Sequence, residues 1–257
     1  MLNLLEYLRQ PQSKKIGNLD DPQATVLHSQ IIKEKVFLKN LYTDFYKIFR
    51  KSIAPDSCKM IELGSGGGFI KEVIPNAITS DIMNVPNIDM VFSAEQMPFE
   101  NNSVDAFFMI DVLHHIKKPK VFLAEAQRCL KSGGKMIMIE PANTVWYRLI
   151  IKNFHHEVFD TLAEWEMNKT GRLSDANGAL AWIIFQRDRE IFESEFKSLR
   201  VKSINFHTPF KYILSGGLTY RQFVPSFMYG FVKFLEICLS PFNKWIGMFE
   251  TIVLEKQ

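Results

Sequence analysis

The stretch "MIELGSGGGF" (60–69) decides how this chain is read. A short apolar run closes on Glu62, and Gly64, Gly66 and Gly68 come after it at alternate positions. Without Cβ atoms, such a loop lets a ligand's backbone or ribose come close, and it can turn tightly into the next element. The competing nicotinamide and flavin pattern G-x-G-x-x-G, started at Gly64, needs a third glycine at 69, where the chain has Phe69. What remains is E-x-G-x-G-x-G, with Asp81 standing 19 residues after Glu62 at the end of the next apolar run. A carboxylate there is placed to accept from two ribose hydroxyls.

Outward from the loop, strand-like and helix-like pieces alternate. "KMIEL" (59–63), "AITSD" (77–81), "IDMVF" (88–92), "VDAFFMI" (104–110) and "GKMIMIE" (134–140) are strand candidates. "PKVFLAEAQRCLKSGG" (119–134) is expected to be a helix, with proline at its start and glycine at its stop. This alternation implies parallel strands with crossover helices, a doubly wound α/β sheet. "LRVKSINFH" (199–207) and "MFETIVLE" (248–255) read as a late antiparallel pair of strands. Between Thr25 and Phe49, Ile31, Ile32, Val36, Leu38, Leu41, Phe45 and Ile48 recur at helical intervals, giving one amphipathic helix or two. Residues 11–23, punctuated by Pro11, Gly17 and Pro22, read as a loop or a mobile arm.

Taken in order, these motifs resemble the class I S-adenosylmethionine (SAM)-dependent methyltransferases, in particular the methyltransferase type 11 branch, over about residues 58–141. The resemblance implies a Rossmann-like doubly wound sheet with an antiparallel last strand, an N-terminal helical cover and helical insertions. It divides one domain into an arm and helices (1–54), a SAM-binding core (55–141), and acceptor-side insertions with the final strand pair (142–257). It implies SAM as cofactor and S-adenosylhomocysteine as product. Glu62, Gly64, Ser65, Gly66 and Gly68 would then face the methionine and ribose parts, and Asp81 would be the ribose acid. Ser93 and Ala94 stand where the family often has an Asp-Ala pair against adenine, and a hydroxyl accepts more weakly than a carboxylate. "AEAQRCLKSGGKMIMIEP" (124–141) matches the helix, L-K-x-G-G turn and fifth strand. Asp111, at the carboxyl end of the fourth strand, lies where ligands of open α/β sheets bind. His114 and His115 just beyond it read equally as pocket-shaping residues and as packing. Asp105, at the start of the same strand, reads as structural.

Composition sets the outer bounds. The 257 residues carry a formal charge of only +3, too small to imply nucleic-acid binding. The segment after the fourth strand also lacks the Asn/Asp-Pro-Pro-aromatic motif of DNA-amine methyltransferases. Cys58, Cys129 and Cys238 form neither a disulfide framework nor a zinc spacing, and each reads as a small buried apolar residue in a reducing cytoplasm. The N-terminus has no signal-peptide pattern, and no apolar stretch is long enough to span a bilayer. The expected location is the cytoplasm, with the inner membrane surface as a peripheral site.

Two further regions bear on the acceptor. "FHHEVFD" (154–160) comes after the fifth strand, where the chain passes over the cofactor edge. Its adjacent histidines point in different directions on any regular element, so no metal is expected. Histidine's pKa near 6.5 suits a general base, making His155 or His156 the candidate base with Glu157 orienting it. A surface or capping cluster is the equal alternative. From Phe196 to Leu235 there is no acidic residue, while lysines, arginines and aromatics crowd 197–245. That region reads first as a helical insertion, and secondly as a basic, aromatic surface for an anionic membrane or a phosphorylated lipid-like acceptor. The resulting expectation is methyl transfer to a small-molecule or lipid-linked acceptor, including a sugar, at oxygen. The rivals are a catalytically silent SAM-binding or membrane-adaptor protein and, disfavoured by Phe69, a nicotinamide-dependent oxidoreductase.

Overall fold

A computed structural model of the chain describes residues 6–154, 158–166 and 176–257. Seven strands form one sheet: β1 (Met60–Glu62), β2 (Ile78–Asp81), β3 (Met90–Val91), β4 (Val104–Ile110), β5 (Leu130–Pro141), β6 (Leu199–His207) and β7 (Phe249–Lys256). Their order is β3-β2-β1-β4-β5-β7-β6. The first five run parallel, and β7 lies antiparallel between β5 and β6. The expected doubly wound sheet and the antiparallel late pair are both present. β7 returns between β5 and β6 after the long helical connection 208–248, and it runs antiparallel to both.

The central strands are covered on both faces, which is why β4 and the end of β5 are almost continuously apolar. One face packs Phe107, Met109 and Met138 against Phe122, Leu123, Ile184 and Phe185. The other packs Ala106, Phe108, Ile137 and Ile139 against the N-terminal helices. Those helices are α1 (Pro22–Glu34) and α2 (Val36–Ser52), broken at Lys35. Asp21 starts α1 by accepting from Gln23 N–H at 2.8 Å, with Pro22 in the first turn. Lys35 adopts extended backbone and sends its ammonium to the carbonyls of Gly217 and Tyr220 at 2.6 and 2.8 Å. Phe45, Tyr46 and Phe49 of α2 are buried on the sheet, and the Phe49 ring stacks on Phe108 at 4.9 Å.

Further helices are α3 (Pro119–Cys129), α4 (Val145–Phe154), α5 (Arg189–Glu195), α6 (Lys211–Ser215) and α7 (Tyr229–Cys238), with shorter helical segments at Leu180–Trp182, Ile183–Arg187 and Asn243–Ile246. The expected helix 119–134 is shorter than its periodicity suggested: it stops at Cys129, and Leu130 already pairs with Val104. The glycines at 133 and 134 turn the chain inside the entrance to β5, with Gly133 at φ +76°. Residues 11–23 are not a free arm. Ser13 Oγ donates to Thr219 O at 3.0 Å, Ser13–Lys15 make a 3₁₀ turn, and the residues just before are pinned by Gln10 N–H on Thr219 O and Arg221 N–H on Leu8 O. Gly216 and Gly217 in "LSGGLTYRQF" (214–223), both with left-handed backbone, make the turn that receives this segment. Cys129 is buried as expected, but Cys58 and Cys238 are exposed, because Cys58 lies in the loop before β1 and Cys238 on the solvent side of the end of α7. Among the described residues no helix is long and apolar enough to cross a membrane.

Candidate functional site

In a sheet ordered 3-2-1-4-5, the crevice for ligands opens at the carboxyl ends of β1 and β4, where the connections diverge. The glycine loop leaves β1 at that point and meets the turn that leaves β4. Gly64 has φ +63°, and a Cβ on it would stand 2.6 Å from Cγ2 of Val112. The two loops therefore touch, and only glycine allows the approach. Ser65 anchors the loop to β2: its N–H donates to Ser80 O at 2.8 Å, and its Oγ accepts from Ser80 N–H at 3.2 Å. Gly68 N–H then closes the turn on Ser65 O at 2.7 Å.

Asp81 ends β2 beside this loop. Its Oδ2 accepts from Gly66 N–H at 3.1 Å and its Oδ1 from Met83 N–H at 2.9 Å. The structure thus joins the glycine loop and the acid that sequence spacing had paired. Glu62 is buried at the end of β1, and its Oε2 makes no hydrogen bond of good geometry. Burial raises its carboxyl to about 8, and the Ser65 and Tyr46 hydroxyls offset this only in part. A buried carboxyl with an orphan oxygen beside a glycine loop fits a ligand that brings positive charge, and SAM carries both an ammonium and a sulfonium.

Ser93 and Ala94 are half-buried beyond β3. Ser93 Oγ accepts from Glu95 N–H at 3.2 Å, a local turn that takes part of its acceptor capacity. Asp111 holds a left-handed backbone at φ +54°, directly after β4, with its N–H on Ile139 O at 2.9 Å. A non-glycine residue in that region costs roughly 1 kcal/mol or more and is retained where the surroundings hold it in place. Burial, then the charge of Asp111, then Tyr212, push the Tyr42 phenol well above its ordinary range, so these three polar groups share one neighbourhood. His155, His156 and Glu157 lie outside the described residues.

Several contributors escaped sequence reading. Glu140, fully buried near the end of β5, accepts from Val112 N–H at 2.9 Å and Leu113 N–H at 2.8 Å through Oε1, while Oε2 lies 2.6 Å from His114 Nδ1. It braces the turn that Gly64 touches. Its signal was legible, since Glu140 closes an apolar strand just as Glu62 does. Asp111, His114 and Glu140 bring their ligating atoms within 4.8 Å of one another. Both oxygens of Glu140 are engaged by its own chain, which accounts for the cluster without a metal ion. Gly67, unassigned from sequence, lies against α1: a Cβ there would stand 2.6 Å from Ser29 N. Ile82, next to Asp81, keeps 56% of its surface exposed at the crevice rim. An apolar side chain so placed offers a flat ring something to lie on. Asp105 is structural, accepting from Lys59 N–H at 2.8 Å and pairing with Lys131 at 2.6 Å.

Comparison with known proteins agrees with this geometry. Residues 61–138 match the family described as "Methyltransferase domain". Among curated proteins, a ubiquinone/menaquinone biosynthesis C-methyltransferase of Rhizobium rhizogenes is 40% identical over 48 residues, 19% of each chain. A sarcosine/dimethylglycine N-methyltransferase of Aphanothece halophytica is 38% identical over 52 residues, covering 20% of this chain and 19% of that protein. The chain thus spans about a fifth of the length of the curated relatives it matches. A SAM-dependent methyltransferase structure from Archaeoglobus fulgidus shares the fold with a TM-score of 0.51 at 12% identity, covering 85% of this chain and 94% of that one. Residues 61–138 thus carry a methyltransferase-domain match, and the strand order around them is that of the Rossmann-like methyltransferase fold.

Proposed function

We propose that this protein transfers a methyl group from SAM to a small-molecule or lipid-linked acceptor, sugars included, at oxygen, releasing S-adenosylhomocysteine. The observation that carries the cofactor half of this reading is the joining of Gly66 to Asp81 beside a buried, under-bonded Glu62. When bound, SAM supplies an electrophilic methyl group on a leaving group already in place. The chain's own tasks are then to bind, orient and exclude water.

Asp81 takes the ribose hydroxyls with the backbone of Gly66 behind it. Glu62 faces the cationic end, and Ile82, with Ser93 and Ala94, receives the adenine. Glu140 holds the Val112–Leu113 turn against Gly64, so the pocket floor keeps its shape. His155 or His156 draws the proton from the acceptor hydroxyl, with Glu157 orienting the ring. The similar curated proteins are named for methylation at carbon and at nitrogen, so the oxygen assignment rests on these histidines.

Calorimetry with S-adenosylhomocysteine tests the cofactor half. Wild type should bind, and Asp81→Ala should lose about hundredfold in affinity, as expected for two lost charge-assisted hydrogen bonds. Absence of binding to wild type would overturn the whole reading. Radiolabelled methyl transfer into fractions of a cell extract tests the enzymatic half. If His155→Ala and His156→Ala both keep normal turnover, the base assignment is wrong.

A further inference from the structure

Helix α7 is built inside out. The residues it turns toward the protein include its polar ones. Tyr229 Oη donates to Asp44 at 2.6 Å, and Lys233 Nζ donates to the same carboxylate at 2.8 Å. Buried Glu236 accepts from Phe210 N–H at 2.9 Å and Lys211 N–H at 2.8 Å. Toward solvent the helix presents Gly230, Phe231, Phe234, Leu235, Ile237 and Cys238, and its one partly exposed polar side chain, Lys233, is held by Asp44. Phe231, Phe234 and Ile237 are 58%, 61% and 61% exposed. Phe227 before the helix and Phe242 and Trp245 after it extend the same surface. A water-soluble helix ordinarily shows the opposite arrangement, and an exposed apolar patch of this continuity marks an interaction site.

The charge around the patch is one-sided. A cavity of about 290 Å³ opens beside α7, lined by Lys47, Lys51, Lys211 and Lys233 against only Asp44 and Glu236. Both carboxylates are engaged by Lys211 or Lys233, whereas Lys47 and Lys51 stand exposed one helical turn apart on α2. Lys244 Nζ sits 4.0 Å over the Trp245 ring. Between Phe196 and Phe249 the single acidic residue is Glu236, which is buried. Aromatic and aliphatic side chains flanked by unneutralised lysines complement a surface with apolar depth and anionic headgroups. A second copy of this chain fits less well, because a two-fold contact through the patch would set the cationic rims near one another.

We propose that the outer face of α7, with Phe227, Phe242 and Trp245, docks the protein on anionic phospholipid membranes. The apolar side chains enter the headgroup boundary, and Lys47, Lys51 and Lys244 meet the lipid phosphates. This inference does not depend on methyl transfer.

The full chain should co-sediment with vesicles of phosphatidylcholine and phosphatidylglycerol at low salt. Phosphatidylcholine alone should bind it about tenfold less, and high salt should weaken the binding. Phe231→Ser/Phe234→Ser should lower vesicle binding about tenfold or more, with an unchanged circular dichroism spectrum because both side chains are exposed. Lys47→Glu/Lys51→Glu should abolish the preference for anionic vesicles, with the fold likewise retained. No sedimentation of wild type with anionic vesicles at low salt would overturn the proposal. So would a wild-type dimer in light scattering that Phe231→Ser/Phe234→Ser converts to monomer, since that assigns the patch to a second copy.

Discussion

Glu62 shows how a single residue can couple the proposed cofactor site to pH. Its carboxyl is raised from 4.5 to about 8 by burial, and Glu250 is raised likewise to about 8 by burial, with Glu140 adding to the effect. A carboxyl that keeps its proton in the folded state contributes stability below 4.5. That stability is lost as pH rises toward the folded value, because the unfolded chain has already released the proton. His207 works in the opposite sense: burial, then Lys211, lower it from 6.5 to about 3, so its contribution grows up to pH 6.5 and is constant above. Between pH 6.5 and about 8 these two glutamates slope downward. Lys35, lowered to about 8 by burial, opposes them only toward the top of that window, so the ligand-free protein should lose stability across it. Melting temperatures measured over it should decline, and Glu62→Gln/Glu250→Gln should flatten the decline. A wild-type profile that rises there would refute the assignment. At a constant pH near 7, a cation placed beside Glu62 should also release a proton. Calorimetric heats of S-adenosylmethionine binding should therefore vary with the ionisation enthalpy of the buffer, and Glu62→Gln should remove most of that variation.

The element that makes the crevice is the contact between the glycine loop and the turn after β4. Adding a Cβ at Gly64 imposes both a left-handed backbone, at about 1–2 kcal/mol, and a collision with the Val112 side chain. Gly64→Ala should therefore lower the melting temperature and weaken S-adenosylhomocysteine binding together. Gly64→Ala/Val112→Ala removes the colliding methyl groups while leaving the backbone strain, so it should recover part of the loss. Identical binding by the single and double variants would show that strain alone is responsible. A second brace works on the far side of the crevice. Arg128 on α3 donates to Phe99 O at 2.6 Å and Met97 O at 3.0 Å, and pairs with Glu125 at 2.7 Å. It holds the segment just beyond Ser93 and Ala94 against the helix. Its own helix ends one residue later because Leu130 is needed by the sheet, and pairing with β4 overrides the helical period of 119–134.

At the scale of the whole molecule, Asp44 gathers three elements. Its carboxylate takes Tyr229 and Lys233 from α7 and Lys211 from α6, and burial is outweighed by these partners in holding it below the usual carboxylate range. Lys211 itself is 7% exposed and also meets Glu236 at 3.3 Å. Asp44→Ala leaves that ammonium with half its counter-charge and unties α7 from α2. A loss of about 2 kcal/mol or more in unfolding free energy is expected, along with faster amide exchange in α7 than in β4. Equal protection of α7 in wild type and variant would show that the Phe37–Tyr229 ring contact, at 4.9 Å, holds the helix by itself.

Much of the fold was legible because its signals are local. Apolar runs ending in acids, glycines at alternate positions and a proline-started helix each report on a few consecutive residues, so the parallel core and the Glu62–Asp81 spacing could be read from sequence. The sequence could likewise exclude the third dinucleotide glycine by Phe69. What it could not provide were contacts between segments distant along the chain: Gly64 on Val112, Gly67 on Ser29, Glu140 beneath the β4 turn, and the arm tied to 219–221. Nor could periodicity tell which side of α7 faces water, because Glu236 and Lys233 turn inward only where Asp44 and the 210–211 amides await them. Local pattern therefore determined the elements and the cofactor motif. Tertiary packing decided which polar groups found partners and which apolar face was left outside, since burial and pairing are properties of neighbours in space.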